Sequence, residues 1–396
     1  MVTRTRRIDE PSVMLRILLT DGSYKQTLSA IQHLPKDYHI SVLTEGRRVQ
    51  TPSFYSRYCN HVIVVPPCTT QEERLSSLLL CLKEGNYDIL IPVGFKYSDV
   101  VSKYSAEIKK QVRVLAPEYS DFIIASHKDQ TMDLARSIGV PIPATMKIVC
   151  GEDLTHLTDY PQVMKSSTGT GGFISYNYSQ DELASVYKTL SPEEKTHVIC
   201  QEYISGFGCG YFGVYNNGVE LAYYMHKRLK EYPISGGPSV AAESYYDERL
   251  LSYGRALCTQ LHWTGPIMCE FKYDEKHDDY KLIEINPKLW GSLSLTLNAG
   301  VNIPLYIIQC LSGMPVSFNN HYRFIQYHWL LNGELLHDYD YHTQNHGSVP
   351  IIPTAKCSVS DINFRDPLPT FYLIIFSIFQ LIEHIHNSTV YEENDE

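Results

Sequence analysis

The chain has 396 residues, 43% hydrophobic and 20% charged, which is enough for two or three domains with a sizeable core. Lys and Arg number 34 against 44 Asp and Glu, so the net charge is -10, and without a long basic run this argues against nucleic acid as a partner. Its ten cysteines, from Cys59 to Cys357, form no CxxC pair. That argues against a zinc ribbon, a thioredoxin-like site or a secreted disulfide framework, and for a reducing, cytoplasmic setting.

At the N-terminus Arg4, Arg6 and Arg7 precede an apolar run from Val13 to Leu19 that is broken by Arg16. It reads as a first strand and not as a signal peptide. Residues 14 to 120 then alternate short apolar strands (Leu15–Leu19, Ile40–Leu43, Val62–Val65, Ile89–Pro92 and Val112–Ala116) with amphipathic stretches such as Tyr24–His33. This βα rhythm predicts a mostly parallel, doubly wound sheet. The turn Thr20-Asp21-Gly22-Ser23 lacks GxGxxG spacing, so the main nucleotide site is expected elsewhere.

A helix over 128–138 is closed by Gly139 with Pro141 and Pro143 beyond. Strands are predicted at Gln162–Lys165, Val198–Tyr203, Tyr211–Tyr215, Glu220–Met225, Pro266–Asp274 and Lys281–Asn286; their short spacings suit antiparallel hairpins and an α+β middle. After Pro315 the pattern is irregular. His337, His342 and His346 there read as satisfied or exposed side chains, not as a zinc site. The apolar stretch Leu368–Ile385 contains Pro369, Ser377, Gln380, Glu383 and His384. Its uninterrupted part falls short of the roughly 20 residues that span a bilayer, so it reads as a buried or docking helix ahead of a membrane-interfacial one.

Chemistry concentrates in the hairpin that carries Glu270, Asp274, Tyr280, Glu284, Asn286 and Lys288. With 275–279 as the loop, pairing Asp274 with Tyr280 sets Glu270 opposite Glu284. Opposed residues in an antiparallel pair have Cβ atoms about 5 Å apart, so two buried anions there repel unless a cation lies between them. Period-two alternation keeps Asn286 and Lys288 on the face of Glu284. Two carboxylates and an amide oxygen form a hard ligand set suited to Mg²⁺ with substrate phosphates. The alternative is a solvated hairpin with a charged outer face.

Lys165 ends a strand and leads into Ser166-Ser-Thr-Gly-Thr-Gly-Gly172, where small residues leave backbone N–H groups open to phosphates; a flexible hairpin turn is the alternative. Glu202-Tyr203-Ile204 offers a strand edge to an adenine ring, or is a core strand entering a loop. His226-Lys-Arg228-Leu-Lys230 followed by Ser235-Gly-Gly-Pro-Ser239 is a basic strand end with a glycine turn, suited to an anion or to solvent.

In this order and spacing the segments HKDQTMDLARSIGVPIPAT (127–145), PQVMKSSTGTGG (161–172), QEYISG (201–206), HKRLKEYPISGGPS (226–239), CEFK (269–272) and EINPKLWGS (284–292) resemble the ATP-grasp superfamily of carboxylate–amine ligases, and within it the carbamoyl-phosphate-synthase-like group. The resemblance covers about 14 to 316. It implies a Rossmann-like pre-ATP-grasp α/β domain at 14–120, a two-lobed α+β ATP-grasp domain at 121–316 with a small lid lobe at about 144–205, and a C-terminal extension at 317–396 that carries the apolar helix.

The same resemblance implies an ATP- and Mg²⁺- (or Mn²⁺-) dependent ligase that joins an acid to an amine through an acyl phosphate. A carboxy- or carbamoyl-phosphate-forming enzyme and a non-catalytic ATP-binding subunit are the rival readings. By resemblance Lys128 and Lys165 would contact ATP phosphates under Gly169, Gly171 and Gly172. Glu202, Tyr203 and Ile204 would form the adenine hinge, and Glu270, Glu284 and Asn286 would hold two metal ions. Arg228 and Lys288 would balance charge on the transferred phosphoryl group and the acid. Two features depart from the pattern: Gly208, Cys209 and Gly210 stand where a ribose-binding acid is common, and Lys288 stands where Arg is common. Small-molecule acid and amine partners, no nucleic acid or membrane, and a homodimer complete the expectation.

Overall fold

The computed structural model describes residues 14–168, 172–343 and 357–394, with side chains to residue 386. The N-terminal part runs β1 (Arg16–Leu19), α1 (Lys25–His33), β2 (His39–Glu45), β3 (His61–Val65), α2 (Gln71–Gly85), β4 (Ile89–Ile91), α3 (Phe95–Lys103) and α4 (Ser105–Ile108). Its sheet has the order β3-β2-β1-β4 with every pairing parallel. Fully buried Ile, Leu and Val on both faces of β1, β2 and β4 are what a parallel sheet covered by helices requires. Local signals fix the helices: α2 starts in a capping box of Thr70 and Glu73 and ends at Asn86, whose φ of 47° closes the helix in the left-handed region.

Val112–Ala116, expected as a fifth strand, is not one. It touches the sheet through a single bridge between Ile89 and Arg113, and the chain then turns away at Pro117 to begin α5 (Tyr119–Ser126). Its apolar residues are buried, but against the helices, so burial without a ladder produced the strand-like pattern.

The middle of the chain runs α6 (Lys128–Ser137), β5 (Thr145–Ile148), β6 (Gln162–Ser166), β7 (Ile174–Asn177), α7 (Gln180–Thr189), α8 (Pro192–Lys195), β8 (Val198–Glu202), β9 (Gly208–Asn216), β10 (Val219–Glu231), β11 (Ser239–Ser244), α9 (Glu248–Gln260), β12 (Gly265–Asp274) and β13 (Asp279–Asn286). After it come α10 (Leu293–Asn298), α11 (Ile303–Leu311), β14 (Gln326–His328), α12 (Glu334–Thr343), β15 (Ser358–Ser360) and α13 (Pro367–Asn394). Among the described residues β5-β8-β6-β7 form an antiparallel sheet with its own small core around Met164, Leu183 and Cys200. The larger sheet has the order β13-β12-β9-β10-β11-β14-β15.

One apolar core joins the N-terminal sheet to the large sheet and the C-terminal segment, running from Ile17 and Ile89 through Phe212, Trp290 and Trp329 to Leu373. It packs β1 together with β10 and with Leu289 and Trp290 just beyond β13. Of the expected buried or docking helix, α13 is not the buried kind. The window Pro367–His386 is long and apolar enough to cross a membrane by length and composition, yet only 22% of it is buried, and Phe371, Phe379 and Ile382 are exposed. Its inner face is held by Tyr372 stacked on Tyr55 and by Ser377, which donates to the Leu331 carbonyl.

Candidate active site

A cavity of about 430 Å³ opens between the small sheet and the large one. Strand β6 brings Lys165 to its roof, β10 brings Arg228, and β12 and β13 bring Glu270 and Glu284 to its floor. Helix α6 has no side-chain cap. Its first N–H, from Lys128, instead donates to the Ser167 carbonyl at 2.7 Å, which ties the helix to the end of β6 and carries the Lys128 side chain over the acids. The ammonium lies 3.1 Å from Glu284 Oε2.

Glu270 and Glu284 are directly opposed, though by a different route from the one the sequence suggests. The loop has four residues, 275–278, so Asp274 pairs with Asp279 and not with Tyr280. Between Phe271 paired with Leu282 and Glu270 paired with Glu284, Ile283 is an extra residue on β13. This bulge restores the register of the acids. It also gives the site a ligand of its own, because the Ile283 carbonyl accepts from Lys165 Nζ at 3.5 Å.

The two acids differ in electrostatic environment. Burial pushes both carboxyls up, but the ammonium groups of Lys128 and Lys165 and the amide of Asn286, which donates at 2.8 Å, outweigh it at Glu284 and hold that group well below the usual range. At Glu270 burial prevails. Arg228 donates to it, but Glu284 and Glu231 repel it, and its carboxyl is raised. Arg228 also reaches Glu231 at 3.0 Å and the Gly237 carbonyl at 3.1 Å, so the guanidinium is fixed by three elements. Lys165 is pushed down to about 8, first by burial, with Glu284 pulling it up and Lys128 pushing it further down.

Six cationic side chains (Lys25, Lys128, Lys165, Arg228, Lys272 and Lys288) line the cavity against three carboxylates, Glu231, Glu270 and Glu284. That excess suits a polyphosphate. The opposed acids with Asn286 suit a divalent cation, since a raised carboxyl at Glu270 is what a pair still short of positive charge displays.

Asn286 and Lys288 both line the cavity, Lys288 just past the strand end at Pro287, where its N–H donates to the Asn286 carbonyl. Gly172 lines it too, and a Cβ there would lie 2.3 Å from that of Ser166. Gly169 and Gly171 fall outside the described residues. Glu202, Tyr203 and Ile204 are not among the cavity's lining residues. The Glu202 carboxylate is engaged by Lys281 at 3.0 Å, while the Ile204 carbonyl accepts from Lys272, whose ammonium also lies over the Tyr203 ring. His337, on α12, bonds the Glu231 carbonyl; His346 lies outside the described residues.

Sequence reasoning named His226 only as the start of a basic segment and did not single out Lys25, Lys272 or Ser292, which also line the cavity. Lys272 and Ser292 belong to the quoted CEFK and EINPKLWGS segments, so position within the motif was an available signal. His226 is buried against Phe212 and held neutral, pushed down to about 3 by burial and then by the Arg228 charge, and its ring bonds Ser292 Oγ at 2.8 Å. Lys25, from the N-terminal α1, carried no local signal.

The chain has known relatives in sequence and fold. A D-aspartate ligase of Enterococcus faecium (strain Aus0004) is 24% identical over 289 residues, covering 65% of this chain and 68% of that protein. A biotin carboxylase from Campylobacter jejuni, solved as a β-γ-ATP complex, superposes with a TM-score of 0.65 at 14% identity over 79% of this chain and 74% of that one. An L-amino acid ligase from Bacillus licheniformis superposes at 0.58 with 12% identity over 74% and 73% of the two chains. Residues 222–330, which include Arg228, Glu270, Glu284, Asn286 and Lys288, match the family described as ATP-grasp in the biosynthetic pathway with Ter operon. The chain has the ATP-grasp fold. In ATP-grasp terms the cavity is the cleft between two sheets, with the acid pair on the larger.

Proposed function

We propose that this ATP-grasp chain is an ATP-dependent ligase that joins a carboxylic acid to an amine through an acyl phosphate. The observation that carries the reading is the opposed pair Glu270 and Glu284 inside a cavity whose cations outnumber its acids. ATP and Mg²⁺, or Mn²⁺, are the expected co-substrate and metal. Glu270, Glu284 and Asn286 are the ligands we assign, and when bound there the cation neutralises charge on phosphoryl oxygens.

The chain's own residues do the rest. Lys128 and Lys165 hold the phosphates, Gly169, Gly171 and Gly172 are assigned to cover them, and Arg228 balances the charge of the phosphoryl group in transfer. The backbone of Glu202, Tyr203 and Ile204 flanks the cavity as the adenine hinge. A carboxylate oxygen of the acid, set by Lys288 and Lys25, attacks the γ-phosphorus and ADP leaves; the amine then attacks the acyl carbon and phosphate leaves. Positioning and charge suffice for this, and no protein nucleophile is needed. A cytoplasmic setting agrees with ten free thiols, and small-molecule acids and amines are the partners. Amino acids are the first acids to try, because relatives are named for them.

The test is a screen of acids for ADP release that requires both acid and Mg²⁺; no acid giving release above the basal rate would refute the reading. Lys288→Met refines it. Its ammonium, pushed down by burial and pulled up by Glu284, sits beyond the acids on the side where the carboxylate would approach. Turnover at saturating ATP should fall by about tenfold to a hundredfold, with nucleotide affinity within about threefold of the parent. A steep loss of nucleotide affinity with unchanged turnover would place Lys288 in the ATP site instead.

A further inference from the structure

A second cavity, of about 500 Å³, adjoins the first and shares Lys25 with it. It falls within the range that encloses a small organic molecule. Apart from Lys25, at the start of α1, its walls come from parts of the chain that the nucleotide site does not use. These are α1, α10, Trp329 after β14, and the segment from β15 to the start of α13. The C-terminal extension therefore completes a chamber against the N-terminal domain.

Four groups give the chamber its chemistry: Asp361, Trp329, Lys25 and the exposed Arg365. Asp361 contributes a carboxylate whose oxygens accept from the Leu331 N–H at 3.1 Å and from Asn332 Nδ2 at 2.8 Å. A carboxylate accepts about four hydrogen bonds, so this one keeps capacity for a further donor. Trp329, 1% exposed, lines the chamber, and its indole N–H finds no acceptor among the described residues. Lys25 lies over the same ring, its ammonium 5.0 Å from the centroid, and makes no ion pair with Asp361 among the described residues.

Burial raises the Asp361 carboxyl to about 6, with Asn332 and Leu331 opposing, and burial lowers Lys25 to about 8 against the pull of Asp361. Each group would therefore gain from a counter-charge, and the two signs are separated in space. The acid must reach the γ-phosphate in the first cavity; in the second, Asp361 is the lining group that attracts an ammonium, while Lys25 and Arg365 attract a carboxylate on the same molecule.

We propose that the second chamber binds the amine substrate, with the Asp361 carboxylate pairing with its ammonium group and accepting the proton the nitrogen loses before it attacks, and with Lys25 shared between this chamber and the site of the activated acid. This rests on the ligase reading above. Lys25 and Arg365 offer cations to a carboxylate of the same molecule, so an amine that also carries a carboxylate fits better than a bare alkylamine.

The test uses hydroxylamine, a small nucleophile that is largely uncharged at neutral pH and traps acyl phosphates as hydroxamates, against glycine, lysine and methylamine as amines. With an acid that supports ADP release, the full-length parent should form both hydroxamate and amide. In Asp361→Asn the ratio of amide to hydroxamate should fall about tenfold or more, because an ammonium loses its charged acceptor while hydroxylamine does not depend on one. Ser23→Phe, which narrows the chamber from the exposed N-terminal turn, should lower the ratio as well and keeps the proposal open to refutation if Asp361→Asn does not fold. Hydroxamate without amide from any of the three amines, or an unchanged ratio in both variants, would overturn the assignment. Absence of hydroxamate with every acid would instead overturn the ligase reading on which it rests.

Discussion

Glu284→Gln should lower acid-dependent ADP release by about a hundredfold to a thousandfold and leave the protein folded, since a preorganised charge aimed at a phosphoryl group is worth that much. The carboxylate is held ionised by Lys128 at 3.1 Å and by Lys165. An amide of the same shape keeps one oxygen acceptor but supplies no charge. The folded state feels two opposed effects: Lys128 loses its partner, and Glu270 loses the like-charged neighbour across the strand pair. The net change in stability should be within about 1 kcal/mol. Normal turnover in a folded Glu284→Gln protein would refute the metal assignment.

The second large effect is on stability. Arg228→Met removes the guanidinium that contacts Glu270, Glu231 and the Gly237 carbonyl, and leaves Glu270 facing two other carboxylates in an enclosed cleft. Breaking a buried pair from one side costs about 3 kcal/mol, with some relief because the raised Glu270 can take up a proton. The urea midpoint should drop accordingly, and the drop should shrink as the pH is lowered, because burial raises the Glu270 carboxyl and a protonated Glu270 no longer needs a partner. A double variant with Glu270→Gln should recover part of the loss, because neither charge is then left alone. A double variant no more stable than Arg228→Met would mean that the guanidinium is not what stabilises Glu270.

Much of the N-terminal sheet was legible because a parallel sheet needs short, wholly apolar strands, and β1, β2, β3 and β4 lie where such runs occur. Val112–Ala116 misled because a buried extended segment under helices has the same apolar pattern; only hydrogen bonding tells the two apart. The acid pair was legible through the spacing of one hairpin, yet the loop was read one residue too long and the bulge at Ile283 made up the difference. Bulges leave no compositional trace unless a glycine occupies them, and Ile283 looks like any strand residue.

What could not be read is what tertiary packing alone assembles. Lys25, Trp329 and Asp361 lie more than three hundred residues apart along the chain at the extremes, in segments whose local patterns suggested only a helix, an irregular stretch and a break before α13. The same holds for α13. Its composition mixes Ser377, Gln380 and Glu383 among apolar residues, as a buried amphipathic helix does, yet Phe371, Phe379 and Ile382 on it are exposed.

The central claim is that the acid is phosphorylated before the amide bond forms, and oxygen transfer tests it most directly. An acid labelled with ¹⁸O in its carboxylate should be turned over with ATP, Mg²⁺ and an amine, and the released phosphate analysed by mass. Passage through an acyl phosphate predicts one labelled oxygen in each phosphate released and one retained in the amide. Phosphate free of label while amide accumulates would contradict the account.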